Sequence, residues 1–347
     1  MDSSGSDLTD RAKKLRQLAL TDPEQIDPEK LAEITSTPVA PPAAHGAAIV
    51  ALLNVARTRD DIAEPFVEHL GRLLGRPSLE TPLVLRCLRE LARNDPAAVL
   101  ELRDEISDRI STDSTDVTQA ATGVCVELVN EDPSSFVDLV PTLAALLESE
   151  NEQIRKNSVY ILSEVAHEYP EQVKPVVPQL TDGVVDRDRT YQTNALSALG
   201  AIVSSYPTAG TKATETLADI ADSTAPPKVR ANAIGLLGDV AVEYPDEIVD
   251  HVPVLVDCLQ SNDEFVTGNA AAAILHIGAE NPDAAEDAIP ALAELTDHSS
   301  PVVRRNTCRA LGQLNATVAL EQLKSTAESD PDETVRSVAA QAVDRIS

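Results

Sequence analysis

The sequence has very few aromatic residues. It contains no tryptophan, and aromatic side chains make up 2% of its 347 residues. Proteins that bind single-stranded nucleic acids commonly stack the bases on aromatic side chains, so this sequence has few residues suited to such a site. A core with so few aromatics must be built from alanine, leucine, valine and isoleucine, which favours tightly stacked helices.

Residues that commonly carry metal or catalytic chemistry are also scarce. No CxxC motif occurs, and the six histidines show no metal-ligand spacing along one helix. No GxGxxG motif, P-loop or nucleophile elbow is present. The sequence therefore predicts no enzyme, no metal and no cofactor. We interpret the cysteines as small buried apolar residues in a reducing compartment, the alternative being metal or redox use; they are Cys87, Cys125, Cys258 and Cys308.

Long apolar runs are absent. The N-terminus has no apolar core of signal-peptide length, and no run approaches the 18 or more residues of a membrane span. We expect a cytoplasmic protein that does not enter a membrane.

Positive charge is limited and comes mostly from arginine. Lysine and arginine total 28 against 57 acidic residues, a net charge of −29, and only eight of the 28 are lysines. This composition resembles that of cytosolic proteins of salt-loving archaea, whose acidic surfaces hold water and keep the chain soluble. The alternative is a basic partner. Either way, such a charge repels nucleic acid phosphates and anionic membrane surfaces.

Two residue types recur in phase along the chain. One series of six prolines is spaced by 37, 37, 37, 38 and 37 residues, and one series of five asparagines by 37, 38, 37 and 37. A period of this length is typical of stacked repeats. The series are Pro96, Pro133, Pro170, Pro207, Pro245 and Pro282, and Asn157, Asn194, Asn232, Asn269 and Asn306.

Each repeat contains two amphipathic helices. Apolar residues follow each asparagine at +5 and +8, which places one stripe along a helix. The turn proline ends that helix, and a second apolar run follows. A further series, Pro141, Pro178, Pro253 and Pro290, predicts a kink in the first helix of its pair. The sixth pair lacks this proline and is expected to have a straighter first helix.

These segments resemble HEAT repeats. VRANAIGLLGDVA, VRRNTCRALGQLN and IRKNSVYILSEVA are similar to the second helix of that repeat, and PVLVDCL and PALAELT to the end of the first. The resemblance covers residues 60–347 clearly and 21–59 weakly, and the last unit resembles repeats of the phycobilisome lyase type. It implies an all-α superhelix of about nine helix pairs over 21–347, preceded by a tail and capping helix over 1–20.

The repeated polar positions have two interpretations each. We interpret the asparagines as a structural ladder that satisfies neighbouring backbone groups, the alternative being a groove for an extended peptide. An arginine lies two residues before several of these positions. In HEAT repeats it commonly pairs with an acid in an adjoining turn; the alternative is a basic ribbon for acidic ligands. This series is Arg155, Arg230, Arg304 and Arg336.

Second helices line the inner, concave surface if the resemblance holds, which exposes positions +3 and +7. Those residues share no common chemistry, and such variety suits one specific protein partner. The candidate contact residues at these positions are Tyr160, Glu164, His276 and Arg309, and Arg304 and Arg305 are added because they form with Arg309 the densest basic cluster of this acidic chain. A further arginine stripe at 86, 89 and 93 is interpreted as paired with nearby acids such as Glu90, Asp95 or Glu101, or else as an anion patch.

The sequence thus predicts a non-enzymatic scaffold or adaptor that binds another cytosolic protein. Two alternatives stay open. One is a lyase-like or enzyme-accessory subunit related to the phycobilisome-lyase type, and the other is a regulatory subunit of a signalling complex. The sequence leaves the partner and the oligomeric state undetermined.

Overall fold

A computed structural model describes residues 3–37, 40–59, 63–75, 80–185 and 188–347. The regular elements in these ranges are all helical. The α-helices are α1 (Ser3–Thr21), α2 (Pro28–Ser36), α3 (Pro42–Ala56), α4 (Ala63–Leu74), α5 (Thr81–Asn94), α6 (Pro96–Leu100), α7 (Arg103–Ser107), α8 (Thr115–Leu128), α9 (Val140–Leu146), α10 (Glu152–Glu168), α11 (Pro170–Val173), α12 (Val177–Val185), α13 (Arg189–Ser205), α14 (Thr214–Asp222), α15 (Pro227–Glu243), α16 (Val252–Cys258), α17 (Glu264–Glu280), α18 (Ile289–Glu294), α19 (Pro301–Gln313), α20 (Leu320–Ser329) and α21 (Glu333–Ile346).

The fold is an all-α solenoid of helix pairs, as the period predicts. Within the described ranges, nine helices occupy the second position of a pair: α3, α5, α8, α10, α13, α15, α17, α19 and α21. Consecutive second helices pack side by side from α3 to α10 and from α13 to α21. Each predicted asparagine lies near the start of its second helix.

The first helices are divided rather than simply kinked. Short 3-10 segments precede the α-helical part, for example Pro133–Leu139 before α9 and Glu286–Ala288 before α18. The inner prolines lie in the first turn of the α-helical part, where the missing N–H has no helical partner to lose. The sixth pair is also divided, by the 3-10 segment Pro207–Lys212 before α14, so the expectation of a straighter helix there is wrong.

Local sequence fixes where the second helices begin. The carboxylate of Asp263 accepts hydrogen bonds from the backbone N–H groups of Phe265 and Val266 at the start of α17. Asp332 does the same for Thr334 and Val335 at the start of α21. An acceptor at this position satisfies N–H groups that have no partner inside the helix.

The core consists mainly of aliphatic residues, as the composition predicts, with Phe66, Phe136 and Tyr191 also fully buried. The +5 and +8 side chains are almost completely buried; for example, Leu237, Val240, Ile274 and Ile277 are each 0% exposed. Burying such a side chain contributes about 1.5–3 kcal/mol relative to leaving it in water. Since one pair cannot cover its own apolar face, the neighbouring pair provides that burial.

The chain forms two compact units, Met1–Glu168 and Tyr169–Ser347, here called the N-terminal and C-terminal units. In the N-terminal unit α1 packs along α3 and buries Ala12 and Ala19. This helix runs from Ser3 to Thr21, so the described part of the segment predicted as a tail and capping helix is helical throughout. The C-terminal unit contains the pairs from α11 to α21.

Candidate functional site

The second helices of the C-terminal unit present a partly exposed row of side chains. Positions +3 and +7 from each asparagine or its equivalent are half-buried or exposed, whereas +5 and +8 are buried in α13, α15, α17 and α19 and half-buried in α21. We call this row the second-helix stripe. It consists of Ser197, Ala201, Gly235, Asp239, Ala272, His276, Arg309, Gln313, Gln341 and Arg345.

The stripe changes in character along the unit. Helix α13 contributes a serine and an alanine to the stripe. Helices α15 and α17 contribute a glycine, an alanine, Asp239 and His276. Helices α19 and α21 contribute two arginines and two glutamines. Burial raises the pKa of Asp239, and His276 opposes that shift. Burial also lowers the pKa of His276, and Asp239 opposes it. His276 is therefore neutral at pH 7 and can donate or accept a hydrogen bond.

Arg304 does not belong to this exposed surface. Its guanidinium bonds Asp330 in a bidentate arrangement at 2.7 and 2.9 Å, and both side chains are buried. It also donates to the backbone carbonyl of His298 at 2.7 Å. With its donors committed inside the chain, Arg304 is not available as the partner contact that the sequence suggested.

The other arginines of that series have a related structural role. Arg155, Arg230 and Arg336 donate to backbone carbonyls of the preceding turn, at 2.6 Å to Ser149, 2.7 Å to Ala221 and 2.6 Å to Asp330 respectively. Such bonds satisfy carbonyl groups that the end of a first helix leaves without partners. Within this series, Arg304 has the predicted acid partner in an adjoining turn, which is Asp330.

Arg305 and Arg309 are placed differently from Arg304. Arg309 is exposed on α19, and Arg305 is half-buried with a buried Nε atom that meets no hydrogen-bond partner in the described residues. Neither guanidinium forms an ion pair within the part of the chain that the structure describes. These two arginines are thus free to bind an external group.

In the N-terminal unit, Tyr160 and Glu164 lie at the equivalent +3 and +7 positions of α10. Both are half-buried, and the Tyr160 hydroxyl accepts a hydrogen bond of 2.9 Å from the Asn130 side chain. The hydroxyl keeps a free lone pair, and Glu164 keeps part of its surface in water. The sequence-predicted contact residues therefore fall on two separate units.

Some arginines on the N-terminal second helices are paired with glutamates, but Arg86 of the predicted stripe is exposed and has no acidic partner among the described residues. Arg93 lies 2.7 Å from Glu90 and 3.2 Å from Glu127, and Arg89 lies 2.9 Å from Glu127. Arg57 joins the network through Glu90 at 3.4 Å. The interpretation of an acid-paired stripe predicted Glu90 but missed Glu127, because Glu127 belongs to the next repeat.

Three asparagines of the repeat connect neighbouring second helices. Asn269 donates to the carbonyl of Ala231 at 2.8 Å and Asn306 to that of Gly268 at 3.0 Å, each reaching back 38 residues. Asn157 donates to the hydroxyl of Thr122 at 3.0 Å. These bonds engage the amide nitrogens inside the array, and they support the structural ladder for those three positions.

The reactive groups found elsewhere are poorly suited to chemistry. All four cysteines are free and buried, and burial raises the pKa of the Cys125 and Cys308 thiols to about 12, so they are not thiolates at neutral pH. Within the described ranges, no group of His, Cys, Asp and Glu side chains is arranged to hold a metal. None of the helices described is long and apolar enough to cross a bilayer.

Stacked helix pairs with this repeat and this polar ladder define the class as a HEAT-type α-solenoid. A family model described as HEAT repeats matches residues 284–344. The model described as the adaptin N terminal region matches residues 47–255, more than half of the chain. The chain therefore belongs to the adaptin N-terminal family, a helical scaffold of the kind that binds proteins.

Solved structures with the same fold include three engineered proteins. The first is 23% identical with a TM-score of 0.80, and the match covers 98% of this chain and 93% of that chain. The other two are 27% and 24% identical with TM-scores of 0.52 and 0.54, and each match covers 60% of this chain and 96% or 98% of the other. Likeness at this level concerns the fold alone. No curated protein matches the sequence significantly.

Proposed function

We propose that this chain is a non-enzymatic scaffold that binds another protein through the exposed side chains of its second helices. In the C-terminal unit the contact surface is the second-helix stripe together with Arg305. In the N-terminal unit it includes Tyr160 and Glu164. This proposal places the partner on the face that a HEAT-type array lines with second helices.

The observation that carries the proposal is the contrast between neighbouring positions on the same helices. The +5 and +8 positions are aliphatic in every second helix of the C-terminal unit and buried in all but α21, whereas the more exposed +3 and +7 positions differ in chemistry from helix to helix. A repetitive ligand would be matched by a repeated side chain. A row of different side chains supports recognition of one folded or extended protein surface, in which a few residues supply most of the binding energy.

The experiment uses the full chain as bait in a cytosolic extract, followed by affinity measurement with each purified partner. We expect the double substitution Arg305→Glu with Arg309→Glu to weaken binding at least tenfold, because both arginines are free of internal acids. Arg304 is left intact, since its substitution would disturb the buried bond to Asp330. Circular dichroism checks that the variant stays helical.

The matched control is Lys212→Glu with Lys324→Glu, which changes the net charge equally on the first-helix side. Both lysines are exposed. A partner that binds the stripe keeps its affinity for this control. The scaffold proposal fails if no partner loses affinity with the arginine variant, or if both variants lose it equally. A chromophore or cofactor that copurifies with the chain would favour the lyase-like alternative.

A further inference from the structure

The last three second helices line a small cavity that is open to solvent on the stripe. A space of about 180 Å³ lies between α17, α19 and α21. Leu275, Gly312, Val338 and Ala342 provide apolar surface, and two arginines and two glutamines provide hydrogen-bond donors. The polar residues of this lining are Arg309, Gln313, Gln341 and Arg345.

The positive charge at this cavity contrasts with the acidic repeats that precede it. Residues 304–347, which supply seven of the eight lining residues, contain six basic and six acidic side chains, whereas residues 231–303 contain fourteen acidic side chains and no lysine or arginine. Both Arg309 and Arg345 are exposed and form no ion pair within the part of the chain described. Two unpaired guanidinium groups beside one cavity therefore give this surface a local positive charge in a chain whose net charge is −29.

The size and lining of the cavity limit its occupant. Small-molecule sites span about 300–1,000 Å³, so a space of 180 Å³ is suited to a single side chain of a peptide. Its apolar part excludes a purely charged occupant. Guanidinium groups bind carboxylates through paired, charge-assisted hydrogen bonds, and glutamine amides donate further bonds to the same oxygens.

We propose that this cavity binds an acidic segment of the partner protein, in which one aliphatic side chain enters the cavity and flanking Asp or Glu carboxylates bind Arg309 and Arg345. The inference rests on the proposed scaffold function and specifies the chemistry of its partner. Nucleic acid is a poorer match, because the described lining has no aromatic ring for base stacking and the chain carries a net charge of −29.

The test measures binding of a fluorescent peptide, Glu-Glu-Leu-Glu-Glu capped at both ends, to the full chain by anisotropy. We expect saturable binding, at least tenfold weaker for the double variant Arg309→Gln with Arg345→Gln. Replacing the peptide glutamates by glutamine, or its leucine by serine, should each weaken binding. The control Lys324→Gln removes an exposed charge on α20 and should leave the affinity unchanged.

Several outcomes would overturn the inference. They are absence of peptide binding, equal binding to the double variant, and tighter binding of a single-stranded oligouridylate than of the peptide. A captured partner that depends on Arg305 and Arg309, yet is not displaced by the peptide, overturns the acidic-segment inference while the scaffold function stands. If instead the peptide binds but no captured partner depends on the stripe, the scaffold function fails on its own test.

Discussion

Arginines on the second helices of the two units meet different surroundings. In the N-terminal unit, Arg89 and Arg93 bond Glu90 and Glu127. In the C-terminal unit, Arg309 and Arg345 line a cavity and have no acidic partner in the part of the chain described. Arg89 and Arg93 are therefore neutralised within the chain, whereas Arg309 and Arg345, on the same kind of helix, are not.

The difference arises at the +7 position of the repeat. In the N-terminal unit that position holds Glu90 on α5 and Glu127 on α8, which reach arginines on their own and neighbouring helices. In the C-terminal unit it holds Gln313 on α19 and Arg345 on α21. A glutamate neutralises the adjacent arginine, whereas a glutamine or arginine leaves it free. For Arg89, Arg93, Arg309 and Arg345, the residue at +7 thus differs between the neutralised and the unpaired guanidinium groups.

The largest effect is expected where an arginine is buried. Arg304→Ala leaves Asp330 buried without its partner, so we expect a loss of about 3–5 kcal/mol in the free energy of unfolding, measured by urea denaturation. The exposed neighbour provides the control, since Arg309→Ala should change stability by less than about 0.5 kcal/mol. Equal effects of the two substitutions would contradict the division between buried and open arginines.

The pH dependence of that loss provides a second check. Hydrogen bonds from Arg304 hold the pKa of Asp330 below its usual value. A depressed folded-state pKa means that the stabilisation is present above the unfolded value of about 3.9 and disappears as the pH falls through the folded value. The stability gap between the wild type and Arg304→Ala should therefore narrow below pH 4. If the difference in unfolding free energy stayed constant with pH, the ion pair with Asp330 would not be the source of the stabilisation by Arg304.

An intermediate effect is expected at the glycine beside the open arginines. A Cβ atom on Gly312 would lie 2.8 Å from the Cβ and 2.9 Å from the Cα of Ala342. Gly312→Ala should force α19 and α21 apart and cost about 1–3 kcal/mol of unfolding free energy. The control is Gly46→Ala in α3, where no atom lies within 4 Å and better helix propensity should stabilise by about 0.5–1 kcal/mol.

The urea midpoints of these two glycine variants are compared with that of the wild type. A lower midpoint for Gly312→Ala and a higher midpoint for Gly46→Ala support close contact of α19 and α21 at Gly312. A stabilising Gly312→Ala would mean that the two helices adjust freely, and the cavity between them would then have no fixed shape.

The smallest effect is expected in the neutralised network. Arg93→Ala removes contacts to Glu90 and Glu127 in a half-exposed setting, so we expect a loss of about 0.2–1 kcal/mol. Raising the salt concentration to about 1 M should reduce the loss further, because the Debye length falls to about 3 Å. Urea denaturation at low and high salt measures this. A loss that is independent of salt would show that packing of the arginine stem dominates.

Part of the candidate surface could be predicted from the sequence. The period places +3 and +7 on the exposed side of each second helix, and the structure leaves Tyr160, Glu164, His276 and Arg309 at least partly exposed. The partner-binding role of these residues stays a prediction. Arg304 and Arg305 are adjacent in sequence, but only Arg304 is directed toward Asp330, 26 residues further on. No local pattern specifies that contact.

The sequence by itself determined the repeat, the helical class and the identity of the buried positions. Apolar residues at +5 and +8 in a 37-residue period can leave water only when successive helix pairs stack on one another. The tertiary structure alone decided which arginines are neutralised, which one is buried and where a cavity opens. Those outcomes depend on side chains that meet across repeats, such as Arg89 with Glu127 and Arg304 with Asp330. Burial follows from periodicity within a helix, whereas charge pairing follows from the packing of one helix on the next.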